Sequence, residues 1–185
     1  MRVVDVPVAE LALAAVPSAV RFGRVFAWQT LQRWQLDCLV EDAELITSEL
    51  VTNALQATGL TTAPERWSQL TDLAMIQVRL TRRESAVLIA VWDRSPAVPV
   101  FRTPADDEEG SRGLAIVEAL ADEWGYQHVS EGKIVWARLA IPGDAAALVP
   151  LARRSVATEL WGPRAVQAAD DLALLKRVRK GLLEV

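Results

Sequence analysis

Apolar positions along the chain change period several times, and each change predicts an element. From Ser18 to Trp34 the pattern is helical, with Val20, Val25, Trp28, Leu31 and Trp34 roughly on one side. A second helix is predicted over Leu39–Ala57. Its stripe runs Leu39, Ala43, Ile46, Leu50, Ala54 and Ala57, in steps of three and four, and Gly59 supplies a stop. Ahead of both, "RVVDVPV" (Arg2–Val8) alternates and contains Pro7, which suits an edge strand.

The period then drops to two. "LAMIQVRLT" (73–81) and "SAVLIAVWD" (85–93) read as strands joined by the hairpin-sized link "RRE". Residues 59–72 and 94–111 read as loops, the second holding prolines and the acidic run "DDEEG". "SRGLAIVEALADEWG" reads as a third helix, with Leu114, Val117, Ala121 and Trp124 inward and Gly125 as its stop. "YQHVS" and "KIVWARLAIP" flank Glu131-Gly132, a second hairpin signal. The order strand, two helices, two strands, helix, two strands predicts an α+β fold. It is a two-layer sandwich, a mixed β-sheet with helices on one face.

After Pro142 the composition shifts, so residues 1–142 read as one domain and 143–185 as a C-terminal helical extension. The extension breaks at Gly162-Pro163. It carries apolar residues at 165, 168, 172, 175, 178 and 182 beside Lys176, Arg177, Arg179 and Lys180. Such a stripe packs on its own domain or docks a partner.

Composition narrows the chemistry. Half of the residues are apolar, enough for a core, and the net charge of −4 argues against a general nucleic-acid footprint. The single cysteine, Cys38, excludes an intramolecular disulfide, and it reads as a small buried hydrophobe. With one histidine, His128, no His cluster can hold zinc. "LALAAVPSA" loosely resembles a signal peptide, but Asp5 and Glu10 interrupt the stretch. No long uncharged apolar run spans a membrane. A cytoplasmic protein is the expectation. Of the seven tryptophans, Trp28, Trp34, Trp92, Trp124 and Trp136 are assigned to the core, while Trp67 and Trp161 fall at loops or breaks.

Three short stretches carry candidate chemistry. In "ELVTNA", Glu49 and Asn53 lie one turn apart on one helical face. Such a pair serves as a surface hydrogen bond, or as a proton acceptor beside a metal ligand, and spacing does not choose. In "VWDRSP", Asp93 ends a strand, where a carboxylate can accept from an exocyclic amine or simply hold a turn. In "GSRGLAIV", Gly110 and Gly113 precede or open a helix whose free N–H groups and dipole favour an anion, and Arg112 adds a charge.

Taken in order, "SELVTNA", "VWDRSP", "GSRGLAIVEALADEWG" and "GKIVWARL" resemble the histidine-kinase-type ATPase superfamily over roughly residues 3–141. Within it the chain is similar to the small stand-alone branch related to anti-sigma-factor serine/threonine kinases. The resemblance implies ATP and Mg²⁺ as cofactors, with Glu49 as general base and Asn53 as Mg²⁺ ligand. It implies nucleotide contacts from Asn53, Asp93, Ser95, Gly110, Ser111, Arg112, Gly113 and Leu114, Asp93 reading the adenine amine, and a lid over residues 97–110. It also implies a protein partner, an anti-anti-sigma-type antagonist or a sigma factor, and admits a homodimer, with no direct contact to nucleic acid or membrane. The sequence departs from the family at Ser111, where a glycine is usual, and at Gln56 and Ala57, where His or Arg is common. Two alternatives to protein phosphorylation follow: a nucleotide-dependent binding module without transfer, and a slow hydrolase.

Overall fold

The computed structural model describes residues 6–58, 74–99, 113–129 and 131–143. Its elements are β1 (Val8–Ala14), α1 (Ser18–Arg33), a 3-10 turn (Asp37–Leu39), α2 (Val40–Thr58), β2 (Met75–Arg82), β3 (Ala86–Asp93), α3 (Gly113–Leu120), β4 (Glu123–Val129) and β5 (Gly132–Ala140). The strands form one five-stranded sheet in the order β1-β2-β3-β5-β4. The α+β two-layer expectation holds, with one correction. Among the described residues the sheet is antiparallel at every pairing, not mixed. The chain leaves α3 along the edge strand β4 and returns through a tight turn as β5, which slots beside β3 in the opposite direction.

β3 is the spine of the sheet, and all eight of its residues are buried. Val87, Ile89 and Val91 join the main core with Ile76, Val78, Leu80, Val135, Ala137 and Leu139, beneath α1, α2 and α3. Leu88, Ala90 and Trp92 point to the other face and cluster with Ile134 and Trp136. This alternation is what a strand buried on both faces requires.

α2 follows its predicted stripe, with Ala43, Ile46, Leu50 and Ala54 buried. α1 follows its own only in part: Leu31 is buried and Val20 and Trp34 pack against the core, but Val25 and Trp28 do not. Its buried positions are Ala19, Gly23, Ala27, Thr30 and Leu31, while Phe22, Val25 and Trp28 are exposed. The reason is close helix packing. A Cβ added to Gly23 would lie 3.3 Å from both Thr47 Cγ2 and Val51 Cγ2, so a small residue is needed at this approach to α2, and Phe22, Val25 and Trp28 are turned outward. Trp28 is therefore not a core residue. Cys38, expected to be buried, is exposed.

Two further boundaries moved. β1 begins at Val8, where the expectation ended. Proline cannot donate to a ladder, so Pro7 stands before the strand, its carbonyl accepting the Arg82 N–H at 2.9 Å. Glu10 then meets Arg79 across the pair at 3.0 Å. α3 is shorter than predicted. After Leu120 the Asp122 N–H turns to the Arg138 carbonyl at 3.0 Å, and the Asp122 carboxylate accepts the Ala140 N–H. Trp124 and Gly125 thus belong to β4, and Trp124 reaches the main core from there. Trp34, Trp92 and Trp136 are core contributors, as expected. The stop at Gly59, the loop with Trp67, and the extension with Trp161 lie outside the described residues.

Leu50 is 1% exposed at the junction of α2 with the sheet. Leu50→Ala should cost about 2–5 kcal/mol of unfolding free energy in urea titration. Phe22→Ser, on the outward face of α1, should change it by no more than about 0.5 kcal/mol.

Candidate functional site

Helix α2 packs against both β3 and α3, so the three chemistry-bearing stretches converge around it. Glu49 and Asn53 are half-buried on its polar side. Glu49 leans onto the first residue of α3. A Cβ built on Gly113 would sit 2.6 Å from Glu49 Oε2 and 3.6 Å from its Cδ. A larger residue there would push the flexible end of Glu49 away from the helix start. The first turn of α3 carries no acidic residue of its own, and Glu49 brings a negative charge to the positive end of that helix. Burial pushes the Glu49 carboxyl up from the ordinary glutamate range, which makes it a better proton acceptor near neutral pH. Leu114, next along α3, is buried in the main core. It anchors the helix start through packing.

Asp93 is fully buried at the end of β3. Its two carboxylate oxygens have different surroundings. Oδ1 accepts from Lys133 Nζ at 2.8 Å and from the Ser95 N–H at 2.8 Å. Oδ2 is buried and has no hydrogen-bond partner. Lys133 is itself fully buried, with a second, longer contact to the Ser95 carbonyl at 3.4 Å. Burial holds the Asp93 carboxyl above the ordinary aspartate range, and the Lys133 hydrogen bond and charge and the Ser95 N–H offset only part of that rise. The Ser95 hydroxyl accepts the Ala97 N–H at 3.2 Å, which holds the turn that follows the strand.

The pair exists because of strand register. Asp93 stands directly opposite Lys133 across β3 and β5, and Gly132 sets that register. It has φ +133°, and a Cβ on it would lie 2.0 Å from the Asp93 carbonyl oxygen. A glycine here admits both the backbone angle and the contact.

The structure thus places Glu49 beside Gly113, and Asp93 beside Ser95. Asn53 follows Glu49 by one turn on the same helix. Gly110, Ser111 and Arg112 lie outside the described residues, as does the expected lid beyond Pro99. Lys133 was missed by sequence reasoning. Its signal was a cation opening the largely apolar run "KIVWARL", and its partner became evident only once the strands were paired. Among the described residues, no three His, Cys, Asp or Glu side chains are grouped to hold a metal by themselves. Asn53, half-buried on α2, carries a carboxamide oxygen, the kind of donor a hard cation takes beside phosphate oxygens. A buried acceptor without a donor fits an amine-bearing ligand. No helix among the described residues is long and apolar enough to cross a membrane.

The family model described as "Histidine kinase-like ATPase domain" matches residues 13–139. No curated protein matches the chain. Among solved structures, the histidine kinase domain from the Erythrobacter litoralis EL346 blue-light activated histidine kinase is 24% identical, with a TM-score of 0.39. The similarity covers 58% of this chain and 48% of that one, so the matched region spans about half of the solved chain's length.

Gly132→Ala should force Cβ into the Asp93 carbonyl and strain φ. A loss of at least about 2 kcal/mol in thermal unfolding is expected. A loss under about 0.5 kcal/mol would show that the turn does not fix the register.

Proposed function

The chain belongs to the histidine kinase-like ATPase family, and on that premise we propose that it binds Mg²⁺-ATP and transfers the γ-phosphoryl group to a serine or threonine of an antagonist protein. The observation that carries the nucleotide reading is the buried, unpartnered Asp93 Oδ2. Adenine presents a 6-amino donor that satisfies it. Leaving such an acceptor empty costs about 1–3 kcal/mol, which the bound base returns.

The residues take these roles. Asp93 accepts from the purine amine. Gly113 opens α3 and admits phosphate oxygens to its N-terminal N–H groups, with Gly110, Ser111 and Arg112 completing that end. Asn53 offers its carboxamide oxygen to Mg²⁺, which when bound neutralises phosphate charge and orients the triphosphate. Glu49 takes the proton from the attacking hydroxyl. The hydroxyl oxygen bonds to the γ-phosphorus as the bond to the β–γ bridging oxygen breaks, and ADP leaves with that electron pair. Most of the rate acceleration comes from positioning and charge neutralisation, with a smaller share from Glu49. By resemblance, the acceptor is an anti-anti-sigma-type domain and the regulated partner a sigma factor.

A second reading is a nucleotide-dependent binding module without transfer. It is favoured by Ser111, Gln56 and Ala57, which depart from the family where catalysis is concerned.

Incubation of the protein with radiolabelled ATP, Mg²⁺ and a candidate serine-bearing partner separates the readings. Label on the partner should fall about 10²–10³-fold in Glu49→Gln. Tight nucleotide binding with no label in wild type would favour the module. In calorimetry, Asn53→Ala should lose the Mg²⁺-dependent part of ATP binding, and undiminished binding would count against the cation site. The pH profile has a defined sign. Burial raises the Glu49 carboxyl, so the proton-accepting form is lost as pH falls through a value above the ordinary glutamate range. The acid limb of the transfer rate should lie there, and Glu49→Gln should abolish it.

A further inference from the structure

We propose that Lys133 is the positioning residue that makes this site choose a purine with a 6-amino group over one with a 6-carbonyl, because its buried ammonium bonds Asp93 Oδ1 at 2.8 Å and leaves Oδ2 to face the base as an ionised acceptor. The inference deepens the nucleotide reading of the site and rests on it.

Three observations combine. First, the two oxygens of Asp93 are not equivalent. Oδ1 receives both Lys133 Nζ and the Ser95 N–H, so the carboxylate cannot swing without breaking two bonds. Second, Lys133 and Asp93 are both removed from water, with side-chain exposures of 0% and 1%. A carboxylate so deeply buried keeps its charge only beside a counter-charge, since isolated buried charges neutralise instead. Third, Lys133 is set by β5 register, directly across from Asp93, behind the tight turn at Gly132. Its ammonium has donors only, so it cannot itself serve a base donor. Its influence on the ligand runs through Asp93.

The consequence is a polarity filter. An ionised Oδ2 accepts from an amine and repels a carbonyl oxygen. Without Lys133 the hydrogen bond and counter-charge that offset burial are gone, so the protonated form of the carboxyl is favoured relative to wild type. Oδ2–H then donates to a 6-carbonyl as readily as the carbonyl form accepts from an amine, and the filter is lost. A site built around one buried polar group can discriminate between its partner and a mismatched analogue by about 10² or more.

The test compares ATP with inosine triphosphate, which carries a carbonyl where ATP carries the amine, by calorimetry with Mg²⁺ on the full chain. In wild type, ATP should bind at least about 100-fold more tightly. In Lys133→Met, the ratio of the two dissociation constants should fall at least about tenfold. Lys133→Gln keeps a side-chain amide donor and most of the volume but removes the charge, and the same loss of ratio is expected. It decides the matter should Lys133→Met fail to fold. The ratio is the informative quantity, because a merely loosened domain weakens both nucleotides together and leaves it unchanged. Either folded variant keeping the wild-type ratio overturns the role of Lys133 and leaves the nucleotide reading standing. Wild type binding neither nucleotide overturns that reading, and this proposal with it.

Discussion

One buried ion pair fixes the end of β3 against the start of β5. Lys133 and Asp93 meet at 2.8 Å where almost no water reaches. Desolvating two charges costs several kcal/mol per ion before their attraction offsets it. Apolar residues of the same size would hold β3 and β5 together at least as well. What the pair adds is a carboxylate with a fixed orientation, one oxygen bonded to Lys133 and the Ser95 N–H and the other buried without a hydrogen-bond donor. Other features support that arrangement. The antiparallel register puts the two residues opposite each other, Gly132 turns the chain tightly enough to allow it, and the Ser95 N–H completes the inner shell.

The second focus is the contact between α2 and α3. Gly113 permits Glu49 to reach the helix start, which brings a carboxylate to the positive end of α3. α2 is the shared support. Its apolar stripe fixes it over β3, and its polar side carries Glu49 and Asn53 one turn apart. A rigid helix is a better platform for such groups than a loop, since packing holds their spacing.

Much of this was legible in the sequence, for identifiable reasons. α2 has a wide, regular stripe, and β2 and β3 have strong alternation with a short link between them. These signals are local, and the elements came out within a few residues. α1 misled because its interface with α2 is made of Ala19, Gly23 and Ala27, whose small size matters more than their hydropathy. α3 misled because Ala121 and Trp124 continue a helical spacing, while the hydrogen bonds of Asp122 turn the chain into a strand. Glu49, Asn53 and Asp93 stood out only in combination, since each alone has a common structural use. Lys133 could not be found this way. Its meaning depends on a strand partner forty residues away, which only the sheet order supplies.

The central claim is that Asp93 reads an exocyclic amine while Asn53 holds the cation of the same nucleotide. An experimental structure of the full chain with Mg²⁺ and a non-hydrolysable ATP analogue tests it most directly. The account predicts the purine amine within about 3 Å of Asp93 Oδ2 and the Asn53 oxygen in the metal's coordination shell. A base bound elsewhere, or a cation without Asn53, would contradict it.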